Sequence, residues 1–310
     1  MKILFMGTPD FAAGILDAIL KSKAHEVTAV VTQPDRPKGR SKETVASPVK
    51  KLAEENAIRV LQPVKIKDPD EVERLREIDA DIYVVAAFGQ ILSKEILDIP
   101  RLGCINVHAS LLPEYRGAAP IQWAIADGKK VTGVTIQQMN EGVDTGDIIS
   151  SCKVGIEDDE TGESLFDKLA KCGEELIVHT LDLIEKGEAK HTPQDDSKAT
   201  YAKILKKEMG LIDFDRPAKE IERLVRAFTP WPGGYTYLDK KLLKIKKCEA
   251  TCGEGEAGRV IAVSKAGISV ACREGALLIT RLQAEGKKEM PAHDFLLGNN
   301  VEIGTMLGAV

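Results

Sequence analysis

At 310 residues the chain is long for a single hydrophobic core, which predicts two domains. Its 43% hydrophobic and 29% charged content is that of a globular protein in water, and no apolar run approaches the ~18 residues of a membrane span, so a helical membrane protein is excluded. A net charge of -5 argues against a general nucleic-acid binder while leaving room for a local basic face.

Lys2–Met6 predicts a first strand, reached without the apolar core or cleavage site of a signal peptide. Gly7-Thr8-Pro9-Asp10 then turns into a helix over Phe11–Leu20, with Pro9 and Asp10 suited to its start. This strand–turn–helix lacks the Gly-x-Gly-x-x-Gly fingerprint of dinucleotide sites. After a second strand, Glu26–Thr32, comes the run Gln33–Lys42. Two prolines, a glycine and the basic residues Arg36, Lys38, Arg40 and Lys42 make it an exposed loop, either a solvated connector or a grip for phosphates.

Ser47-Pro48 is an N-cap followed by proline at the first helical position, opening a helix to about Asn56. Ile58–Leu61 predicts a short strand and Pro69–Ile78 a charged amphipathic helix. Asp81–Phe88 is the continuous apolar run of a central parallel strand. It ends at Gly89, which makes Ala86–Leu92 one wall of a pocket. The alternation of strands and helices predicts a doubly wound, mostly parallel α/β sheet.

The stretch Gly103–Pro120 carries the chemistry. With side-chain period two, Cys104, Asn106 and His108 share one face of a short strand and Ile105 and Val107 the other. A core strand has no need of an amide and an imidazole at its C-terminal end, which is where open α/β sheets bind ligands. Ala118–Ala126 follows as a helix and Val131–Met139 as a strand. The loop Asn140–Asp147 holds two glycines and two aspartates, Asp144 among them, which is also simple turn chemistry. Ile148–Val154 is a strand, and a long helix covers Glu163–Lys186.

From Gly187 to Lys206 the composition turns polar, which predicts a catalytic domain over 1–187, a linker over 188–206 and a second domain over 207–310. There, a helix over Arg216–Phe228 precedes five short strands: Tyr235–Leu238, Leu242–Cys248, Gly258–Val263, Gly267–Cys272 and Leu277–Leu282. They fit an OB-like β-barrel, with a sandwich as the alternative. Residues 207–310 carry 16 basic against 14 acidic side chains, whereas 1–206 carry 27 against 34, a mild pointer to a polyanionic partner. Six scattered cysteines make no disulfide framework and suggest a reducing, cytoplasmic setting; Cys248 and Cys252, the one close pair, lack a second ligand pair for zinc.

No Ser or Cys stands in a nucleophile elbow, so a covalent acyl-enzyme is not indicated. Asn, His and Asp suit direct transfer of an acyl-like carbon, with amide and imidazolium stabilising an oxyanion and the carboxylate holding the histidine or relaying a proton. The segments Asn106-Val107-His108, Ser110-Leu111-Leu112-Pro113, Arg116–Pro120 and Gly142–Gly146 resemble those of the folate-dependent formyltransferases. Phe5–Phe11, the Gln33–Arg40 loop and Ala227–Pro232 resemble the tRNA-directed branch of that family, and the likeness runs nearly end to end.

The resemblance implies a Rossmann-like catalytic domain followed by an OB-like tRNA-binding domain. It also implies that the amino group of methionine on initiator Met-tRNA attacks the formyl carbon of 10-formyltetrahydrofolate with no metal needed; separately, a cytoplasmic monomer is expected. It assigns Asn106 and His108 to the developing oxyanion and Asp144 to holding His108 and moving a proton. Folate contacts fall on Ser110, Leu111, Leu112 and Pro113, and on Phe88, Gly89, Ile91 and Leu92. Arg36, Lys38, Arg40 and Lys42 approach the tRNA, although Glu43 follows where the family commonly carries a further lysine. Two alternatives stay open: a formyltransferase or hydrolase acting on small molecules, and a nonenzymatic RNA-binding protein.

Overall fold

Most of the apolar runs between residues 2 and 155 line up as one seven-stranded sheet in the computed structural model, which describes residues 1–37 and 44–308. In chain order come β1 (Lys2–Gly7), α1 (Asp10–Ser22), β2 (Glu26–Val31), the short pair β3 (Arg36–Pro37) and β4 (Thr44–Val45), α2 (Pro48–Glu55) and β5 (Arg59–Leu61). Then follow α3 (Pro69–Arg76), β6 (Ile82–Ala86), α4 (Lys94–Leu97), β7 (Cys104–His108), β8 (Arg116–Gly117) and α5 (Pro120–Ala126). β9 (Val131–Gln138), β10 (Ile148–Gly155), α6 (Gly162–Glu185) and β11 (Tyr201–Ala202) complete the series. The strand order is β10-β9-β7-β6-β1-β2-β5; β9 pairs antiparallel with β7 and with β10, and the other pairs are parallel. This is the doubly wound, mostly parallel sheet the sequence predicts.

The local signals act as read. Ser47 caps α2 by accepting from the Lys50 N–H at 3.1 Å, and Asn56 closes the helix. Ile3–Met6 and Val84 are buried because both faces of the sheet are covered. On one face Leu4, Met6, Tyr83, Val85 and Cys104 form a core with Val72, Leu75 and Ile96. On the other, Val107 packs against α6 where Gly173 leaves room.

Three readings change. The helix placed at Ala118 begins at Pro120, because Arg116 and Gly117 are drawn into a parallel pair with Tyr201 and Ala202. The compact units are 1–120, 131–155 and 166–202 in the first, with 121–130, 156–165 and 203–310 in the second. Residues 188–202, read by composition as linker, therefore belong with the first unit; their polar side chains serve hydrogen bonds there. Finally, Cys152 on β10 and Cys172 on α6 are joined as a disulfide, with Cα atoms 6.7 Å apart. Strand-to-helix packing brings together two cysteines twenty residues apart, while the pair close in sequence divides into buried Cys248 and exposed Cys252.

At the N-terminal ends of the strands His25 is buried, with Asp182 Oδ1 3.4 Å from Nε2 and Glu185 Oε2 3.7 Å from Nδ1. Burial, and next the Met1 ammonium beside it, hold its imidazole below the ordinary 6.5. The fold keeps this ring neutral while the unfolded chain takes up a proton. Stability is therefore expected to be greatest well above pH 6.5 and to fall as the pH is lowered through 6.5. Urea midpoints measured across that pH check this: the wild type should show the slope and His25→Gln a flatter one.

In the second unit α7 (Ala218–Ala227) precedes β12 (Gly234–Leu238), β13 (Lys241–Thr251), β14 (Val260–Ser264), β15 (Gly267–Ala271), β16 (Ala276–Ala284), β17 (Met290–Pro291) and α8 (Ala292–Gly298). The five longer strands are the five expected for an OB-like domain. They pair antiparallel in the order β12-β13-β16-β15-β14, with β17 against β16. One face buries Leu243, Ile245, Val270, Leu277 and Ile279 against Ile221 and Val225 of α7. The short α8, unmarked by any clear period, adds Phe295 to that core. Among the described residues no helix is long and apolar enough to cross a membrane.

Candidate active site

The strand order reverses between β1 and β6, since the chain runs outward through β2 and β5 and then returns to β6 and β7. In an open α/β sheet the crevice beyond the carboxyl ends at that point is the ligand site. A cleft of about 540 Å³ lies there, lined by Thr8 and Pro9 after β1, Gln33 after β2, and Ala87, Phe88 and Gly89 after β6. A second cleft of about 560 Å³ sits at the amino-terminal ends of β1, β2 and β6, among Lys2, His25, Asp79 and Asp81.

Asn106 and His108 end β7, which pairs with β6, and the loop after β9 brings Asp144 to Asn106 across 38 residues of sequence; none of the three lines the first cleft. Asn106 Nδ2 donates to Asp144 Oδ1 at 3.2 Å, and His108 Nδ1 stands 3.6 Å from Asp144 Oδ2. His108 Nε2 is 2.9 Å from the Tyr115 carbonyl oxygen. A carbonyl only accepts, so Nε2 carries a proton and Nδ1 is the nitrogen left for chemistry. The histidine is buried and the Asp144 side chain is only 14% exposed.

Asp144 is held on all sides. Oδ1 also accepts from Gln137 Nε2 at 2.9 Å, and Oδ2 accepts from the Gly117 N–H at 2.8 Å. Its backbone is left-handed, with φ +54°, as are Tyr115 at +58° and Ala87 at +44°. Non-glycine residues in that region cost of order 1 kcal/mol or more each and persist where surrounding contacts over-determine them. Three such residues lie at this one edge of the sheet.

Sequence reasoning missed Gln137 and Gln194, and gave no role to Arg116 and Gly117, although both stand in a segment that carries the family resemblance. Gln137 sits opposite Asn106 in the β7–β9 register, as Thr135 does opposite His108, so four polar side chains share one patch. Gln137 is buried at the end of an otherwise apolar strand, which only the β7–β9 register makes meaningful.

The residues assigned to folate differ in exposure, Leu111 and Pro113 being half-buried. Ser110, Leu112, Phe88 and Leu92 are buried, and Gly89 and Ile91 are exposed, Ile91 by 63%. Ser110 donates through Oγ to the Glu114 carbonyl at 2.6 Å, while Thr135 Oγ1 donates to the Ser110 carbonyl at 2.7 Å and accepts from the Leu112 N–H at 3.1 Å. Ser110 thus shapes the loop that carries Leu111 and Pro113. The Phe88 carbonyl is fixed by Thr8 Oγ1 and Gln33 Nε2, at 3.3 and 3.1 Å. Lys38, Arg40 and Lys42 lie outside the described residues, and of Arg36 only the backbone is described.

Residues 1–181 match the formyl transferase family and residues 204–300 the formyl transferase C-terminal domain. The chain belongs to the formyl transferase family. It is 50% identical over 308 residues to the methionyl-tRNA formyltransferase of Geotalea daltonii, covering 99% of this chain and 98% of that one. With the methionyl-tRNA formyltransferase of Agathobacter rectalis it shares 51% over 307 residues, 98% of this chain and 99% of the other. Within the family it thus stands among the methionyl-tRNA formyltransferases, which are transferases. Among solved structures, the sugar 3N-formyltransferase WlaRD has the same fold, with a TM-score of 0.65, 21% identity and 93% and 99% of the two chains covered. HypX from Aquifex aeolicus in complex with tetrahydrofolic acid gives 0.64 at 19% identity, over 98% of this chain and 50% of that one.

Proposed function

We propose that this protein transfers the formyl group of 10-formyltetrahydrofolate to the α-amino group of methionine on initiator Met-tRNA. The observation that supports it most is the meeting of Asn106, His108 and Asp144 at the carboxyl edge of β7, in a chain about half identical to methionyl-tRNA formyltransferases. The donor set fits a formyl-folate: N–H groups for one small oxygen, a proton-handling pair, and flanking walls at Leu111–Pro113 and Phe88–Leu92.

Bound there, the folate supplies the electrophilic carbon, to which the amine nitrogen bonds as the bond to the folate nitrogen breaks. Asn106 has a second Nδ2 hydrogen beyond the one on Asp144, and offers it to the formyl oxygen as negative charge gathers. His108, anchored through Nε2, presents Nδ1 between that oxygen and Asp144. Asp144 balances the imidazolium and passes the proton lost by the amine toward the departing folate nitrogen, through water. Arg36, Lys38, Arg40 and Lys42 face the acceptor end of the tRNA, and the OB-like domain holds its inner side. The protein works as a monomer in the cytoplasm.

An assay offering formyl-folate with initiator Met-tRNA, and separately with small amines, tests this. Formylated Met-tRNA is the expected product; transfer to small amines alone overturns the assignment.

A further inference from the structure

We propose that Gln194 and Arg116 are positioning residues that fix the Asp144 loop, so that the segment after α6 is a working part of the catalytic centre. This rests on the role of Asp144 given above. The loop has its own bonds, from the Gly142 N–H and Thr145 Oγ1 to Asn140 Oδ1, but these lie before and after Asp144. The backbone at Asp144 itself is left-handed and is held from outside. Gln194 Nε2 donates to the Asp144 carbonyl at 3.0 Å and to the Gly146 carbonyl at 2.7 Å, so one amide group spans the turn that carries the carboxylate.

Arg116 decides which way that amide faces. Its Nε and an Nη2 donate to Gln194 Oε1 at 3.1 and 2.9 Å, and Nη2 also donates to Asp196 Oδ1 at 2.7 Å. A guanidinium has only donors, so the Gln194 oxygen must turn to it and the NH₂ to the loop. The Arg116 side chain is 3% exposed while Asp196 is 83% exposed. A buried cation whose one carboxylate partner among the described residues stands in solvent is a costly way to hold a surface segment. It makes sense as a way to lock one amide. The next residue, Gly117, donates its N–H to Asp144 Oδ2. Arg116 and Gly117 therefore control the aspartate twice, at the carboxylate directly and at the backbone through Gln194. β8 is in turn kept in place by its pairing with β11 and by the Arg116 N–H on the Thr200 carbonyl at 2.9 Å.

Gln194→Glu separates positioning from support. The new carboxylate accepts from Arg116 at least as well as the amide did, so the fold is kept, but it has no N–H for the Asp144 and Gly146 carbonyls. With the full chain, formyl-folate and Met-tRNA, kcat is expected to fall 10- to 100-fold while both KM values stay within threefold. The thermal midpoint should hold. In an Asp144→Asn background the same change should cost less than threefold further. Gln194→Met, which lacks donors and acceptors alike, is measured beside it in case the glutamate variant does not fold. If Asp144→Asn cripples turnover but Gln194→Glu and Gln194→Met keep kcat within twofold of wild type, the positioning role is overturned. If Asp144→Asn itself retains activity, it is the assignment of Asp144 that falls.

Discussion

Asp144→Asn is expected to lower kcat about 10³-fold, with little change in either KM. The substitution is isosteric, so the loss is not one of shape. Oδ1 faces the amides of Asn106 and Gln137, and Oδ2 faces the Gly117 N–H. Whichever way an asparagine is turned, its NH₂ meets a donor. It also leaves the imidazole at Nδ1 with no negative charge to balance. A donor–donor conflict and a lost counter-charge act on the same step, which is why the expected loss sits at the upper end for a single group. Steady-state formyl transfer at saturating folate, beside a melting curve to confirm folding, measures it. A loss below tenfold would remove Asp144 from the reaction.

The second large effect comes from Gly146→Ala. The φ of Gly146 is not in the left-handed region, so the requirement is for space. A Cβ there would overlap the Gln138 carbonyl oxygen, which is backbone and cannot swing aside. Moving it means loosening the Gln138 N–H from the Asp147 carbonyl, now 2.8 Å away, and freeing Gly146 from Gln137 Oε1 and Gln194 Nε2. The expected result is a destabilisation of about 1–3 kcal/mol, as for other overpacked sites, together with at least about a tenfold loss of kcat because Asp144 moves with the loop. Gly187→Ala is the control. Its φ is +70° but nothing lies within 4 Å, so it should cost about 1 kcal/mol and leave kcat alone. Equal kcat for the two variants would mean that the crowding at Gly146 does not reach the chemistry.

How far the site could be read beforehand depended on whether each residue's oddity was local. Asn106 and His108 stand out because a strand end that ought to be apolar is polar on one face, and the period of two shows it without any partner. Asp144 lies in a turn where aspartate is ordinary, and the family likeness marked it more than the physics did. Gln137 needs the register of β9 against β7, which no single strand reveals. Gln194 was hidden by its company: among Lys, Asp, Thr and Ser it reads as solvated chain, and its partners are 48 and 50 residues away. The disulfide is of the same kind, since it depends on where α6 lies over β10. Periodicity and caps gave the longer strands and helices within a few residues, and missed α4, α8, the 3-10 turns at Asp196–Lys198 and Lys207–Gly210 and the two-residue pieces, which are too short to show a period.

The pairing of β8 with β11 bears on how this protein can be dissected. A fragment ending at residue 187, the natural place to cut by composition, would strip Arg116 of Gln194, Asp196 and Thr200 together and expose a strand edge. Such a fragment would misreport the chemistry of the isolated catalytic half, and its inactivity would wrongly credit the missing C-terminal half with a role in turnover. Ala202 is the earliest sensible terminus for truncation, grafting or fusion.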